Sequence, residues 1–169
     1  MTSGGIGINT RTSTWGPHDG SPDWIPAPEL PDGGELVVAA DAREAAGKDR
    51  GGVVEALPGA VLRPAGARDV EAVVRFAHQH AIPCAAQGNH HTVGGQALVA
   101  DGIAIDMRQL DRVHSITPPG DDGEPGTIEV DAGALLTDIA IAADKHRARV
   151  STGYPGRTTL TAGGFAAVG

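Results

Sequence analysis

The chain has 169 residues, enough for one domain with its own core, and a formal net charge of -8. That charge disfavours a surface for nucleic acid or an anionic membrane, because both partners attract basic patches. Aromatic residues make up only 3%, which predicts an aliphatic core, whereas 25 glycines and 12 prolines predict many turns and short elements.

Residues 1–34 are rich in glycine, proline, serine, threonine and aspartate and show no hydrophobic period. They predict a flexible N-terminal segment before an ordered part at 35–169. Trp15 and Trp24 are candidates to dock in a surface groove, because an indole is costly to leave in water. The start of the chain lacks a charged region followed by an apolar one, which predicts a cytoplasmic protein.

The ordered part begins with a predicted helix over 35–46 and a turn at 48–52. Two β-type runs, 53–55 and 60–63, predict short strands. A longer helix follows, because apolar residues recur at the spacing of one helix face: Val70, Val73, Val74 and Ala77.

A buried strand is predicted to begin at Ile82 and to contain Cys84 as a small buried hydrophobe rather than a nucleophile. Another strand is predicted over 102–107. The segment 117–126 reads as a turn or surface loop, and a strand over 127–133 and a helix over 135–146 follow it. A last strand is predicted to begin at Arg149.

The loop from Gln87 to Gln96 is the candidate functional segment, since it places three glycines, two histidines and three amide side chains after a strand. Its backbone N–H groups could form a nest for a phosphate. It could equally be a structural loop whose histidines satisfy local backbone groups. A metal site at His90 and His91 is disfavoured, because adjacent residues of an extended chain point to opposite sides. The GxGxxG and GxxxxGK[ST] patterns are both absent.

Several short motifs occur in an order that resembles a known family. They are Gly51-Gly52-Val53-Val54, Pro58 to Pro64, Asp69-Val70, Ile82-Pro83, Gly88 to Ala97, Gly102 to Met107 and Thr161-Ala162-Gly163-Gly164. Together they resemble the FAD-binding domain of the vanillyl-alcohol oxidase and p-cresol methylhydroxylase (PCMH) superfamily, with the greatest similarity to cytokinin dehydrogenases and related FAD-linked oxidases.

The resemblance implies an α+β fold of the PCMH type, in which a small α/β subdomain precedes the start of a second α+β subdomain. It makes the glycine loop a pyrophosphate-binding turn. His91 stands where many members attach the flavin 8α-methyl covalently, and His90 stands where the family usually has glycine. The implied FAD contacts are Gln87, Gly88, Asn89, His90, His91, Thr92, Gln96, Thr161, Gly163 and Gly164.

The resemblance also implies an FAD-dependent oxidoreductase that removes hydride from a CH-OH or CH-NH carbon of a small-molecule substrate. Gly156 stands where cytokinin dehydrogenases carry their proton-accepting aspartate, which disfavours a cytokinin substrate. Tyr154 and Arg157 are candidates for substrate contacts. Family members continue for several hundred residues, so the alternative is a truncated, catalytically silent fragment that serves at most as a weak nucleotide-binding or interaction module.

Overall fold

A computed structural model describes residues 5–18, 20–121, 123–151 and 159–168. Its strands and helices, in chain order, are β1 (Ile6–Asn9), β2 (Thr14–Pro17), β3 (Trp24–Pro26), β4 (Glu35–Val37), α1 (Ala40–Ala46), β5 (Ala60–Arg63), α2 (Ala67–Gln79), β6 (Cys84–Gln87), β7 (Ile103–Asp106), β8 (Val113–Thr117), β9 (Thr127–Val130), α3 (Leu136–Lys145) and α4 (Ala162–Val168).

A four-stranded sheet with the order β4-β5-β7-β6 forms the centre of the fold. Strand β7 runs parallel to both β5 and β6, whereas β4 is antiparallel to β5. Helix α2 connects β5 to β6. Of its predicted apolar stripe, Val73 and Ala77 are buried and Val70 is partly buried, whereas Val74 is 44% exposed, contrary to the prediction. Val73 and Ala77 pack with Leu62 and Ile103 in the main core. The predicted helix and the predicted strands on both sides of it are confirmed.

The N-terminal segment forms a second, three-stranded antiparallel sheet with the order β2-β1-β3. Trp15 is only 9% exposed and packs against Phe76 of α2, with ring centroids 6.2 Å apart. The prediction of a segment without regular elements is therefore wrong over residues 6–26. Strands of three or four residues that contain glycine and proline show no period, so their pairing depends on tertiary contacts. The domain boundary near residue 35 stays a prediction.

Two further predictions about the next segment are wrong. Residues 35–37 form strand β4 rather than the first turn of a helix, because they pair with the buried strand β5, and α1 begins only at Ala40. Residues 53–55 form no strand; a single bridge joins Lys48 to Glu55, and Val53 is 81% exposed.

Cys84 is exposed, which contradicts the prediction of a buried thiol. It begins β6, an edge strand of the central sheet. Apolar neighbours in the sequence do not distinguish an edge strand from a central one, and only the central β7 is buried along its whole length.

The last part of the described chain contains the β8–β9 hairpin and helices α3 and α4. The predicted loop at 117–126 connects the two strands, and the predicted β9 and α3 are confirmed. Strand β8 was not predicted, and residues 149–151 form no strand. Among the helices of the described ranges, none has both the length and the apolar character needed to cross a bilayer.

Candidate functional site

A cavity of about 320 Å³ lies where β6 runs into the glycine loop. The carboxyl ends of parallel strands are a common position for ligands in α/β sheets. Nine of the ten predicted site residues line it: Gln87, Gly88, Asn89, His90, His91, Thr92, Thr161, Gly163 and Gly164. Gln96 is not among them; its Oε1 instead accepts a hydrogen bond from the Gly94 N–H at 3.2 Å. Apolar residues complete the wall, including Met107, Leu160 and Phe165.

Two glycines let separate parts of the chain meet at the cavity. A Cβ atom on Gly88 would overlap the Thr161 hydroxyl, and a Cβ atom on Gly163 would lie 2.9 Å from the Ala132 side chain. Thr161 also forms an isolated bridge with Leu135 and is 2% exposed. The glycine loop and the turn before α4 are therefore fixed against each other, although sequence reasoning placed them together only through the family resemblance.

The glycine loop offers backbone donors to the cavity. No oxygen atom in the described part of the chain accepts a hydrogen bond from the N–H groups of residues 88–93. The Gln87 side chain, at 1% exposure, donates to the carbonyl oxygens of Ala46 and Ala97 at 3.0 and 2.9 Å, while its buried Oε1 has no partner among the residues that the structure describes. Unsatisfied backbone donors in a concave loop are suited to an anion.

Asp49, which is not among the residues that line the cavity, binds the glycine loop through its carboxylate, and the sequence analysis did not identify it. Its Oδ2 accepts from the Gly95 N–H at 2.8 Å and from the Thr92 hydroxyl at 3.2 Å, while its Oδ1 accepts from the N–H groups of Gly51 and Gly52. The Gly95 N–H, with these other donors, holds the pKa of Asp49 below its ordinary value against the opposing effect of burial. An aspartate two residues before a Gly-Gly pair is a sequence signal for such a turn.

His91 is hydrogen-bonded at both ring nitrogens. Arg50 Nη1 lies 3.2 Å from His91 Nδ1, and Thr159 Oγ1 lies 2.8 Å from His91 Nε2. Thr159 is fixed in turn, because Asn89 Nδ2 donates to its carbonyl oxygen at 3.0 Å. Neither Arg50 nor Thr159 was predicted as part of the site; both are distant from the loop in sequence, and no motif includes them.

His90 has the unusual backbone conformation of the loop, with φ at 54°. This is the left-handed region, which favours glycine. Burial lowers the pKa of His90, and the charge of Arg108 lowers it further. Arg108 itself forms a bidentate pair with Asp106 at 2.8 and 2.7 Å. Burial alone would raise the pKa of Asp106, but the Arg108 hydrogen bonds outweigh it and lower that pKa.

Tyr154 and Arg157, the candidates for substrate contacts, lie outside the described residues, as does Gly156, which stands in place of the proton-accepting aspartate. Within the described ranges, no three His, Cys, Asp or Glu side chains lie close enough together to hold a metal ion.

Comparison with known proteins gives a match to the model of a family described as an FAD binding domain, over residues 58–169. An uncharacterized oxidoreductase of the fasciation locus in Rhodococcoides fascians is 31% identical over 126 residues, which cover 71% of this chain and 27% of that protein. Cytokinin dehydrogenase 6 of Oryza sativa subsp. japonica is 33% identical over 126 residues, which cover 71% of this chain and 24% of that protein. The chain thus spans about a quarter of the length of these relatives.

Solved structures show the same fold. Cholesterol oxidase from B. sterolicum superimposes with a TM-score of 0.59 over 83% of this chain and 26% of that chain, at 20% identity. At that identity the similarity concerns the fold alone. The mixed helix and sheet fold that the sequence predicts is confirmed.

Proposed function

Because the chain belongs to the FAD binding domain family, we propose that it is the FAD-binding part of an oxidoreductase that oxidises a CH-OH or CH-NH group of a small molecule. FAD, the cofactor that the sequence predicts, is the cofactor of that family. Both relatives described above carry oxidoreductase names, one of them as a dehydrogenase.

The observation that carries the proposal is the convergence of two glycine-containing segments on one cavity. Within the described ranges, the backbone N–H groups of the loop at 88–93 have no hydrogen-bond acceptor, and these groups would bind the pyrophosphate. Gly88 and Gly163 leave no room for side chains there, which lets the backbone come close to a cofactor. The buried, unpartnered Oε1 of Gln87 is an acceptor suited to a cofactor donor group. The residues present therefore fit part of an FAD molecule.

FAD supplies hydride-accepting chemistry when it is bound, and the protein's task is to hold it and to shape its surroundings. In this chain, the loop would bind the charged pyrophosphate. The apolar wall around Met107, Leu160 and Phe165 would exclude water from its neighbourhood. Asp49 would keep the loop in its binding conformation through its bonds to Gly95 and Thr92.

His91 is the proposed site of covalent flavin attachment. His91 is among the residues that line the cavity, and its ring is hydrogen-bonded at both nitrogens, to Arg50 and Thr159. In a neutral histidine ring one nitrogen carries no proton, and its lone pair would form the bond to the flavin methyl carbon after leaving its hydrogen bond. The methyl group would lose a proton, and the flavin, reduced by two electrons, would be reoxidised by dissolved oxygen.

Reconstitution of the purified chain with FAD tests both parts of the proposal. We expect a flavin absorption band that persists after removal of free cofactor. After acid precipitation, the flavin is expected to stay with the wild-type protein but not with His91→Ala, which still binds FAD reversibly. His146→Ala is the matched control, because His146 lies at the end of α3 and is not among the residues that line the cavity.

A chain that stays colourless with excess FAD contradicts the FAD-binding proposal. A flavin band that is lost on acid precipitation of the wild type contradicts covalent attachment alone. A second candidate function, a nucleotide-binding module without redox activity, predicts equal binding of FAD and ADP.

A further inference from the structure

Arg50 approaches the glycine loop from the turn that follows α1. Its backbone N–H donates to the carbonyl oxygen of His90 at 2.9 Å, and its guanidinium Nη1 lies 3.2 Å from Nδ1 of His91. Main chain and side chain of one residue therefore contact two successive residues of the loop. This geometry fixes the guanidinium beside the imidazole although Arg50 lies far from His91 in sequence.

The chemistry of the two groups defines where the imidazole proton is. A guanidinium has five N–H donors and no acceptor, and it stays charged at any working pH. The bond from Arg50 therefore requires an unprotonated Nδ1 on His91. The neutral ring then carries its proton on Nε2, which lies 2.8 Å from Thr159 Oγ1 and can donate to it.

Thr159 is a defined acceptor, because its own position is restrained from the loop. Asn89 Nδ2 donates to the Thr159 carbonyl oxygen at 3.0 Å. The opposite tautomer would place the Nδ1 proton against a guanidinium donor and leave Nε2 facing the hydroxyl as an acceptor. Only one tautomer satisfies the bond to Arg50.

We propose that Arg50 is a positioning residue for His91, which holds the imidazole in the tautomer with its proton on Nε2. The role of this tautomer in cofactor attachment rests on the proposed function, in which His91 is the attachment site. The tautomer itself does not depend on the cofactor, because all the contacts that define it lie within the chain.

Lys48 provides a matched control on the same turn. Its ammonium lies 3.5 Å from Glu55 Oε1, and the pair is well exposed. Lys48→Met therefore removes a positive charge close to Arg50 without removing a hydrogen bond to His91. Arg50→Met removes the donor, whereas Arg50→Lys keeps a positive charge with N–H donors and no acceptor.

The test is ¹⁵N NMR of the 169-residue chain labelled at histidine, without cofactor and at a pH where imidazole is neutral, with the His91 signals assigned from their loss in His91→Ala. We expect an unprotonated Nδ1 and a protonated Nε2 in the wild type and in Lys48→Met. Arg50→Met is expected to show a mixture of both tautomers, and Arg50→Lys is expected to return toward the wild-type pattern. A wild-type His91 protonated on Nδ1 overturns the proposal, whether or not any variant folds. So does an Arg50→Met ring with an unchanged tautomer.

A second readout separates this inference from the proposed function. After equal incubation with FAD, acid-stable flavin is expected to be lower in Arg50→Met than in the wild type and unchanged in Lys48→Met. If neither the wild type nor any variant retains acid-stable flavin while the tautomer pattern is as expected, covalent attachment at His91 fails and the positioning role of Arg50 stands. If acid-stable flavin is retained equally by the wild type and Arg50→Met, the tautomer held by Arg50 has no role in attachment, and that part of the inference fails.

Discussion

Gly88 and Thr161 lie against each other so closely that a Cβ atom on Gly88 would overlap the Thr161 hydroxyl. Gly88 follows strand β6, and Thr161 precedes helix α4. The contact joins the two segments whose glycines line the cavity, and it explains why a side chain is excluded at this point of the loop.

Gly88→Ala is expected to destabilise the fold by about 1–3 kcal/mol, because the new methyl group overpacks a closed contact. It is also expected to weaken FAD binding, since relief of the overlap moves the two segments apart. Urea unfolding gives the first quantity, and FAD titration gives the second. Gly16→Ala is the control, because its Cβ atom would meet only the Trp24 ring at an ordinary 3.8 Å.

A double substitution identifies the source of the effect. Thr161→Ala removes the hydroxyl oxygen that a Cβ on Gly88 would overlap. The double variant Gly88→Ala/Thr161→Ala is therefore expected to lose less unfolding free energy than the two single variants lose together. If the losses of the two single variants were strictly additive, overlap with the Thr161 hydroxyl would not be the cause of the destabilisation by Gly88→Ala.

Asp49→Asn is expected to lower stability and weaken FAD binding, because the amide would direct N–H donors at backbone N–H groups that now donate to a carboxylate. Asp41→Asn is the comparison, since Asp41 is exposed on α1 and its side chain accepts a local hydrogen bond, from the N–H of its neighbour Ala42. Thermal unfolding and FAD titration measure the two effects. If Asp49→Asn and Asp41→Asn showed the same thermal stability and the same FAD affinity, the proposed role of Asp49 in stabilising the loop would be contradicted.

The stability conferred by Asp49 is expected to depend on pH in a defined direction. Its folded-state pKa lies below the ordinary value of 3.8, so the carboxylate favours the folded state while both states are ionised. The difference in unfolding free energy between wild type and Asp49→Asn is therefore constant above about pH 5 and shrinks as the pH falls below that. A difference that grows on acidification would contradict this sign.

His90→Gly is expected to be more stable than His90→Ala by about 1 kcal/mol, because φ at 54° strains any residue with a Cβ atom. At position 91, φ is not in the left-handed region, so the order of stability should reverse, and His91→Ala should be more stable than His91→Gly. Denaturant unfolding of the four variants measures both differences. The same order at both positions would argue against strain at His90.

Trp15→Ala is expected to lower the free energy of unfolding, measured by urea denaturation, by about 3–5 kcal/mol, as for other buried large aromatic residues. Trp15 is 9% exposed and packs on Phe76, so its loss opens the main core. Trp24→Ala serves as the control, because Trp24 is only half-buried in β3. If both variants lost the same small amount of unfolding free energy, the N-terminal segment would not be packed on the core, in agreement with the flexible segment that its composition predicts.

Periodic elements could be read from the sequence, because their signal lies within the element itself. Val73 and Ala77 define the buried face of α2 at helical spacing, and Ile103 and Ile105 lie in a strand whose apolar run is continuous. Strands β1 to β4 escaped prediction, since three or four residues carry too little pattern and depend on a partner for their conformation.

The sequence predicts the glycine loop, but it does not predict the residues that hold the loop in place. Glycines after a strand indicate an anion-binding turn, and the family resemblance placed Thr161 beside it. Asp49, Arg50 and Thr159 act through side-chain contacts across the fold. Such contacts are set by tertiary packing, and a single sequence does not contain them. For the same reason, the edge position of Cys84 was missed.

An equilibrium titration of the purified chain with FAD, with ADP and riboflavin as competitors, tests the central claim most directly. If the loop at 88–93 binds the pyrophosphate, FAD binds saturably with one molecule per chain, ADP competes with it, and riboflavin, which lacks phosphate, does not. Absence of saturable FAD binding, or competition by riboflavin as strong as that by ADP, would contradict the assignment of this loop as the cofactor site.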